Sequence, residues 1–393
     1  MKRILCILLG ISLVLFLAAG CAPKVAAPTT EATTTEATTT AAETTAAAEE
    51  TIVIERWGTV TLEDFTTKSP DGVKATSADV LKLTEEEKET IRSKNLKVAW
   101  LYGERSEWSR GLGNGSAVAM KDLNMELIFE DDAKWDPAKQ VTGLENALVA
   151  KPDIILSLII DPVGEAAAYR KAVDKGVILS FVDEIPQGFV HPDDYAGIVT
   201  ADTVELGRIC AELMAEAIGG KGKIGFLYLD AIFYNTNIRE TACKLTLESK
   251  YPDIEIFYKG IASPDDAEKA TAALITQNPD IKGFIAPWDT PAVSVVAACK
   301  AANRPDIKVV TYDLGAAIAV DMLKGGNTYG IAVESTAELG STLIMMAAYR
   351  ALGKEVPYFL IVPAYPVTAK NVLELWEPTI GAPAPPEVAE FAK

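Results

Sequence analysis

From residue 97 onward, short apolar runs alternate with segments in which apolar residues recur every three or four positions. The first pattern reads as strand and the second as amphipathic helix. Strands are expected at 97–102, 125–129, 153–158, 177–182 and 195–200, with helices at 111–124, 136–150 and 162–175. The runs Ile154-Ile155-Leu156 and Val177-Ile178-Leu179 lack polar alternation, as parallel strands covered on both faces do. A long helix at 204–218 ends at Gly219-Gly220-Lys221-Gly222, and the rhythm restarts. Strands follow at 223–229, 254–258, 283–286, 308–311 and 329–333, and helices at 237–250, 264–277, 291–302, 316–323 and 336–352. Such a succession builds right-handed parallel sheets. The fold class is α/β, two doubly wound parallel-sheet lobes enclosing a cleft at their strands' carboxyl ends.

The first 96 residues break this rhythm. Met1-Lys2-Arg3 is basic, residues 4–17 are almost wholly apolar, and Leu17-Ala18-Ala19-Gly20-Cys21 ends the run. That order reads as a secretory signal, too short for a membrane span. Its end resembles a bacterial lipobox, with Ala18 where leucine is usual. The resemblance implies cleavage after residue 20 and a lipid on Cys21. The alternative is a plain secretion signal followed by a free cysteine. Residues 22–50 use only Ala, Thr and Glu apart from Pro23, Lys24, Val25 and Pro28, and carry no apolar face, so residues 21–50 read as a tether. In the extension 51–95, a short β-like run covers 51–54. Thr84-x-x-Glu87 there has the form of a capping box opening a helix.

Composition narrows the chemistry. The 393 residues hold 37 basic and 55 acidic side chains, a formal charge of −18 that repels nucleic acid. His191 is the only histidine, and the five cysteines include no CxxC pair. A histidine metal site, a Ser-His-Asp triad, a Cys-His dyad and a zinc ribbon are all disfavoured. No cofactor, no metal and no catalytic residue is expected. Cys210, Cys243 and Cys299 read as buried small hydrophobes.

Loops after strands on a rigid sheet carry chemistry. Here they hold Trp108 and Asp161, then Asp183 with Glu184, Trp288 with Asp289, Tyr312 with Asp313, and Glu334; Arg239 stands near the second half's first loop. Aromatics interleaved with carboxylates and an arginine suit a polyhydroxyl ligand, whose ring face stacks while its hydroxyls pair with Arg and Asp. Asp289, two residues before Pro291, fits equally as a helix cap. Loop tryptophans at 108 and 288 are harder to explain without a ligand.

The body, about residues 97–375, resembles the type I periplasmic substrate-binding proteins of bacterial ABC importers, in the branch similar to ribose- and galactose-binding proteins. The markers are the Gly115-containing first helix, GFIAPWD at 283–289, VVTYD at 309–313 and Arg239 in NIRETA. The resemblance implies ligand-binding roles for Trp108 with Ser109, Asp161, Asp183, Arg239, Tyr312 with Asp313, and Glu334. Two departures stand out: Glu184 where arginine often follows the aspartate, and Trp288 where asparagine is frequent. They make the cleft unusually acidic, with Arg239 opposed to six carboxylates and Arg105 and Arg110 as further candidates. A cationic ligand such as an amino sugar therefore stands beside a neutral aldose or polyol.

The resemblance further implies a three-strand hinge, with crossings near Asp202, Ser335 and Ala364. The first lobe is then 96–202 with 335–363, the second 203–334 with 364–378, and 379–393 a tail. It implies a receptor that makes and breaks no bonds, a monomer held at the membrane by its lipid, serving an ABC permease and ATPase. A sensor passing its closed state to a chemoreceptor or kinase, and a nucleoside-binding surface lipoprotein, remain alternatives. So does a dinucleotide enzyme. Its glycine fingerprint is imitated by Gly111-Leu112-Gly113-Asn114-Gly115-Ser116, but Ser116 and the long approach from Tyr102 fit poorly.

Overall fold

In the computed structural model, residues 51–54, 58–61, 66–69, 72–230 and 233–391 are described. The signal sequence, Cys21 and the Ala/Thr/Glu tether lie outside them. Two strands, β1 (Thr51–Ile54) and β2 (Gly58–Thr61), pair antiparallel. Next come β3 (Thr76–Ser77) and α1 (Glu85–Lys94). The α1 start is a reciprocal capping box: the Glu87 amide donates to the Thr84 hydroxyl, and the Thr84 amide to the Glu87 carboxylate.

The strand–helix alternation then runs β4 (Lys97–Tyr102), α2 (Glu107–Asp122), β5 (Glu126–Asp132), α3 (Pro137–Ala150), β6 (Ile154–Leu158), α4 (Ala166–Asp174), β7 (Ile178–Val182) and β8 (Gly197–Ala201). Helix α5 (Thr203–Ile218) leads to the second half. This comprises β9 (Gly222–Leu229), α6 (Tyr234–Lys250), β10 (Ile254–Ile261), α7 (Asp266–Gln277), β11 (Ile281–Ile285), α8 (Asp289–Ala301), β12 (Lys308–Tyr312), α9 (Ala316–Leu323) and β13 (Thr328–Glu334). Helix α10 (Thr336–Ala351) and β14 (Phe359–Val362) return to the first sheet. The chain ends with β15 (Ala364–Thr368), α11 (Val372–Ile380) and α12 (Pro386–Ala389).

The strands form two large sheets, ordered β3-β14-β8-β7-β6-β4-β5 and β10-β9-β11-β12-β13-β15. Every pairing in them is parallel except β13 with β15. The chain passes between the sheets at Asp202, Ser335 and Pro363.

The unalternating apolar runs have the expected cause. Ile154 and Leu156 point into one core and Ile155 into another on the opposite face, so each residue of β6 is buried. A fully buried side chain of this size contributes about 1.5–3 kcal/mol. The second sheet is likewise covered on both faces. Cys210, Cys243 and Cys299 are buried and free.

The glycines of α2 let it approach its neighbours closely. A Cβ at Gly115 would lie 1.8 Å from the Ala337 carbonyl oxygen, and one at Gly340 would lie 1.9 Å from that of Leu112. They press α2 against α10, whereas a Cβ at Gly113 would lie 2.8 Å from the Tyr102 hydroxyl on β4 of its own sheet. Residues 111–116 are also inside a helix rather than in a turn at its start, which removes the dinucleotide reading.

Part of the 51–95 extension belongs to the first sheet. Strand β3 pairs with β14, and Ala78, Leu81 and Ile91 enter the core below. Thr67 Oγ1 donates to Asp202 Oδ1 at 2.5 Å and accepts from the Val204 amide at 3.1 Å, at the first crossing between sheets.

Candidate functional site

Helix α2 starts four residues earlier than its apolar pattern suggests, because Ser106 caps it. The Ser109 amide donates to Ser106 Oγ (3.2 Å) and the Ser106 amide to Ser109 Oγ (2.7 Å), the two halves of a capping box. Ser109 is thereby buried and occupied by its own helix. Trp108, placed in a loop by the sequence, sits half-buried in the first turn of α2. Its indole Nε1 donates to Glu334 Oε1 at the end of β13, joining elements of the two sheets.

Asp183 follows β7 and Asp313 follows β12, the fourth strand of each βα series, and both have left-handed backbones (φ 63° and 64°). Aspartate tolerates that region better than most residues, and strained positions of this kind gather at functional sites. Asp183 accepts from Thr200 Oγ1 at 2.6 Å, and the Asn235 side chain on α6 also favours its ionised form. Burial pushes its carboxyl up to about 6. Glu184 accepts from the Tyr234 amide, the first of α6, at 3.4 Å. Asp161 is drawn into a local turn, where its Oδ1 accepts from the Val163 and Gly164 amides at 3.1 and 3.0 Å.

Across the junction, Arg239 on α6 is buried. Its Nη1 and Nη2 meet the Asp313 carboxylate at 3.1 and 3.3 Å, and Nη2 also donates to the Pro287 carbonyl at 2.7 Å. The guanidinium lies 4.5 Å over the Tyr312 ring. Tyr312 is wholly buried beneath it, donating to the Arg239 carbonyl oxygen at 3.4 Å, so its ring supports the arginine instead of facing a solute. Asp289 is the first residue of α8 and accepts from its neighbour Thr290's amide at 2.8 Å, but the N-cap is Trp288 and no side chain caps the helix, so the capping alternative does not hold. Burial and Asp313, with Glu107 adding less, push it up to about 7. Trp288 is half-buried at the N-cap of α8, with no capping bond from its side chain. Glu334 is pushed up to about 8 by burial, Asp313 and Asp183, against the pull of Arg239.

Glu107 escaped the sequence reading. Its Oε2 accepts from the Ala316 amide at 2.6 Å, at the start of α9 in the second half. Helices α6, α8 and α9 have no side-chain caps of their own, and a carboxylate at a helix N-terminus is stabilising. The sequence held only a generic signal, an acid in a helix's first turn, whose partner lies 209 residues away. Trp135, also unforeseen, packs edge-on against Phe233 with centroids 6.3 Å apart. Arg105 pairs with Glu130 at 2.6 Å and covers Tyr102, while Arg110 pairs with Glu107 at 3.5 Å. Neither pairs with the central carboxylates.

Trp108, Asp183, Arg239, Asp289, Asp313 and Glu334 thus converge where the carboxyl ends of both sheets meet. Glu184 bridges the sheets, whereas Asp161, Ser109 and Tyr312 serve local structure. Among the described residues, no group of three or more His, Cys, Asp or Glu could hold a metal ion, and no helix is long and apolar enough to cross a membrane.

Residues 98–355, more than half of the chain, match the family described as a periplasmic binding protein domain. A xylitol-binding protein of Mycolicibacterium smegmatis is 27% identical over 60% of this chain and 66% of its own length. A D-ribose/D-allose-binding protein of Pseudomonas aeruginosa is 24% identical over 56% of this chain and 77% of its own. Among solved structures, an ABC transporter solute-binding protein of Agrobacterium vitis bound with α-D-tagatopyranose superposes with a TM-score of 0.64 at 23% identity, covering 75% of this chain and 98% of that one. A solute-binding protein of Bacillus halodurans with bound myo-inositol gives 0.61 at 19% identity, covering 71% and 96%. At these identities the structural likeness is one of fold.

Proposed function

The chain belongs to the periplasmic binding protein family, an extracytoplasmic family of binding proteins rather than enzymes, and from that premise we propose that it is the solute receptor of an ABC import system. It captures a polyhydroxyl solute of monosaccharide or polyol size between its lobes and delivers it to a membrane permease driven by an ATPase. It works as a monomer, anchored through lipid on Cys21, with residues 21–50 as the tether. The observation that carries this reading is the Trp108–Glu334 contact beside the Arg239–Asp313 pair, which brings an aromatic ring, carboxylates and a guanidinium from both sheets to one place. Rings of this kind stack on a sugar face, while carboxylate and guanidinium take its hydroxyls. The names of the relatives, which bind xylitol, ribose and allose, point to the same class.

Titration calorimetry against D-ribose, D-allose, D-tagatose, xylitol and myo-inositol tests the reading. Trp288→Ala and Arg239→Ala should each weaken whatever binding is found at least tenfold, about 1.4 kcal/mol. Unchanged affinity in both variants removes the site assignment. Cys21→Ser should move the protein from the membrane to the soluble fraction.

A further inference from the structure

Three buried side-chain atoms at the meeting of the sheets have no hydrogen-bond partner: Glu334 Oε2, Asn235 Oδ1 and Arg239 Nε. Their residues are 2%, 5% and 4% exposed. With Glu334 ionised, as a cationic partner would make it, two of the three atoms are acceptors and one is a donor, so what joins them then brings more donors than acceptors. Charge is unbalanced in the same direction. Asp183, Asp289, Asp313 and Glu334 act on one another here: Asp313 raises the other three, and Asp183 raises Glu334. Arg239 is the basic group among them, and Asp313 already holds both of its terminal nitrogens. Glu184 and Glu107 each meet a helix N-terminal amide, and Glu107 adds a smaller push on Asp289 in the same direction. Burying carboxylates in such excess is costly unless they hold protons, as their raised carboxyls do without a solute, or a cation joins them. A hydroxyl brings one donor and two acceptor lone pairs, whereas an ammonium brings three donors and no acceptor.

We propose that the solute of this cleft carries a protonated amine on a polyhydroxyl body, with the ammonium at Glu334 and Asp183 and a hydroxyl oxygen accepting from Arg239 Nε. The inference rests on the proposed receptor function and specifies its ligand. It separates this chain from relatives whose names give neutral sugars and polyols.

Calorimetry on the full chain at neutral pH tests it with matched probes: D-glucosamine, D-galactosamine and 1-amino-1-deoxysorbitol against D-glucose, D-galactose and sorbitol. N-acetylglucosamine serves as the uncharged control. At least one amine should bind tenfold or more tightly than its hydroxyl counterpart, and acetylation should abolish the advantage. Glu334→Gln should reduce that ratio tenfold. Should that variant misfold, Asp183→Asn, which keeps a residue tolerant of the left-handed backbone, should reduce it likewise. Neutral probes binding as tightly as the amines, or an amine preference surviving in the folded variants, overturns the inference and leaves the receptor reading standing. No binding by either set, nor by the neutral panel above, removes both.

Discussion

The helices that meet the junction start in two different ways. In the first half, α2 and α3 open on caps of their own, Ser106 with Ser109 and Asp136 with the amides of Ala138 and Lys139. In the second half, α6, α8 and α9 open on Phe233, Trp288 and Gly315 without a side-chain cap. Glu184 and Glu107 from the first half supply carboxylates to two of these starts. At α2 and α3 the first half is therefore locally self-sufficient, although its α4 also opens without a side-chain cap, and two starts of the second half are completed by its neighbour. Acids that resemble one another in the sequence divide accordingly. Glu184 and Glu107 join the two halves at helix starts, and those around Arg239 are the ones the proposed solute would meet.

The largest effect should come from the second half's interior. Arg239→Ala removes a buried guanidinium and leaves Asp313, whose side chain is 13% exposed, without its partner, a change that costs up to about 3–5 kcal/mol for a broken buried pair. Thermal unfolding should report it even without solute. A loss no greater than that of a surface substitution would mean that the pair is solvated in solution.

Next in size is the response to pH. Asp183, Asp289 and Glu334 have carboxyls raised to about 6, 7 and 8. The folded state then holds protons that the unfolded state, with carboxyls near 4, has lost. Stability from these groups is fully present below pH 4 and is lost as pH rises through 6 to 8. The groups facing them are Asp313, Arg239 and Glu107. The buried Glu165 and Glu240, each raised to about 8 chiefly by burial, add to the same slope. The unliganded midpoint should fall by on the order of 5 °C between pH 5 and pH 8. Glu334→Gln should flatten that slope, and an unchanged slope would place the titrating groups elsewhere.

Much of the fold was legible because its signals are local. The unbroken run at 154–156 marked a strand covered on both faces, and Thr84 with Glu87 announced a helix start within four residues. Strands β14 and β15 were not legible, since both are short and Pro363 and Pro366 interrupt the apolar pattern. The start of α2 was missed because glycines at 111, 113 and 115 weaken the helical signal, and what requires two of them is α10, more than 200 residues away. The burial of Tyr312 could have been found. It shares a strand face with Val310, and both enter the same core. The Glu107–Ala316 contact had no signal, because nothing near either residue encodes the other.

A matched pair of substitutions gives the sharpest test of the two kinds of helix start, and it involves the smaller energies. Ser106→Ala removes a cap that α2 supplies to itself, so it should cost about 1 kcal/mol of stability with or without solute. Glu107→Gln keeps the size of the side chain but removes the charge that meets the start of α9, worth about 0.3–1 kcal/mol. Its effect should fall on the balance between open and closed lobes, because the contact exists only when the halves are together. Small-angle scattering on the unliganded protein should show a larger radius of gyration for Glu107→Gln and none for Ser106→Ala. Solute affinity should drop up to fivefold in the first and stay constant in the second, since a ligand that selects the closed form must then supply what the carboxylate no longer does. If both variants lose only stability, α9 is being capped as an ordinary helix and Glu107 has no part in closure.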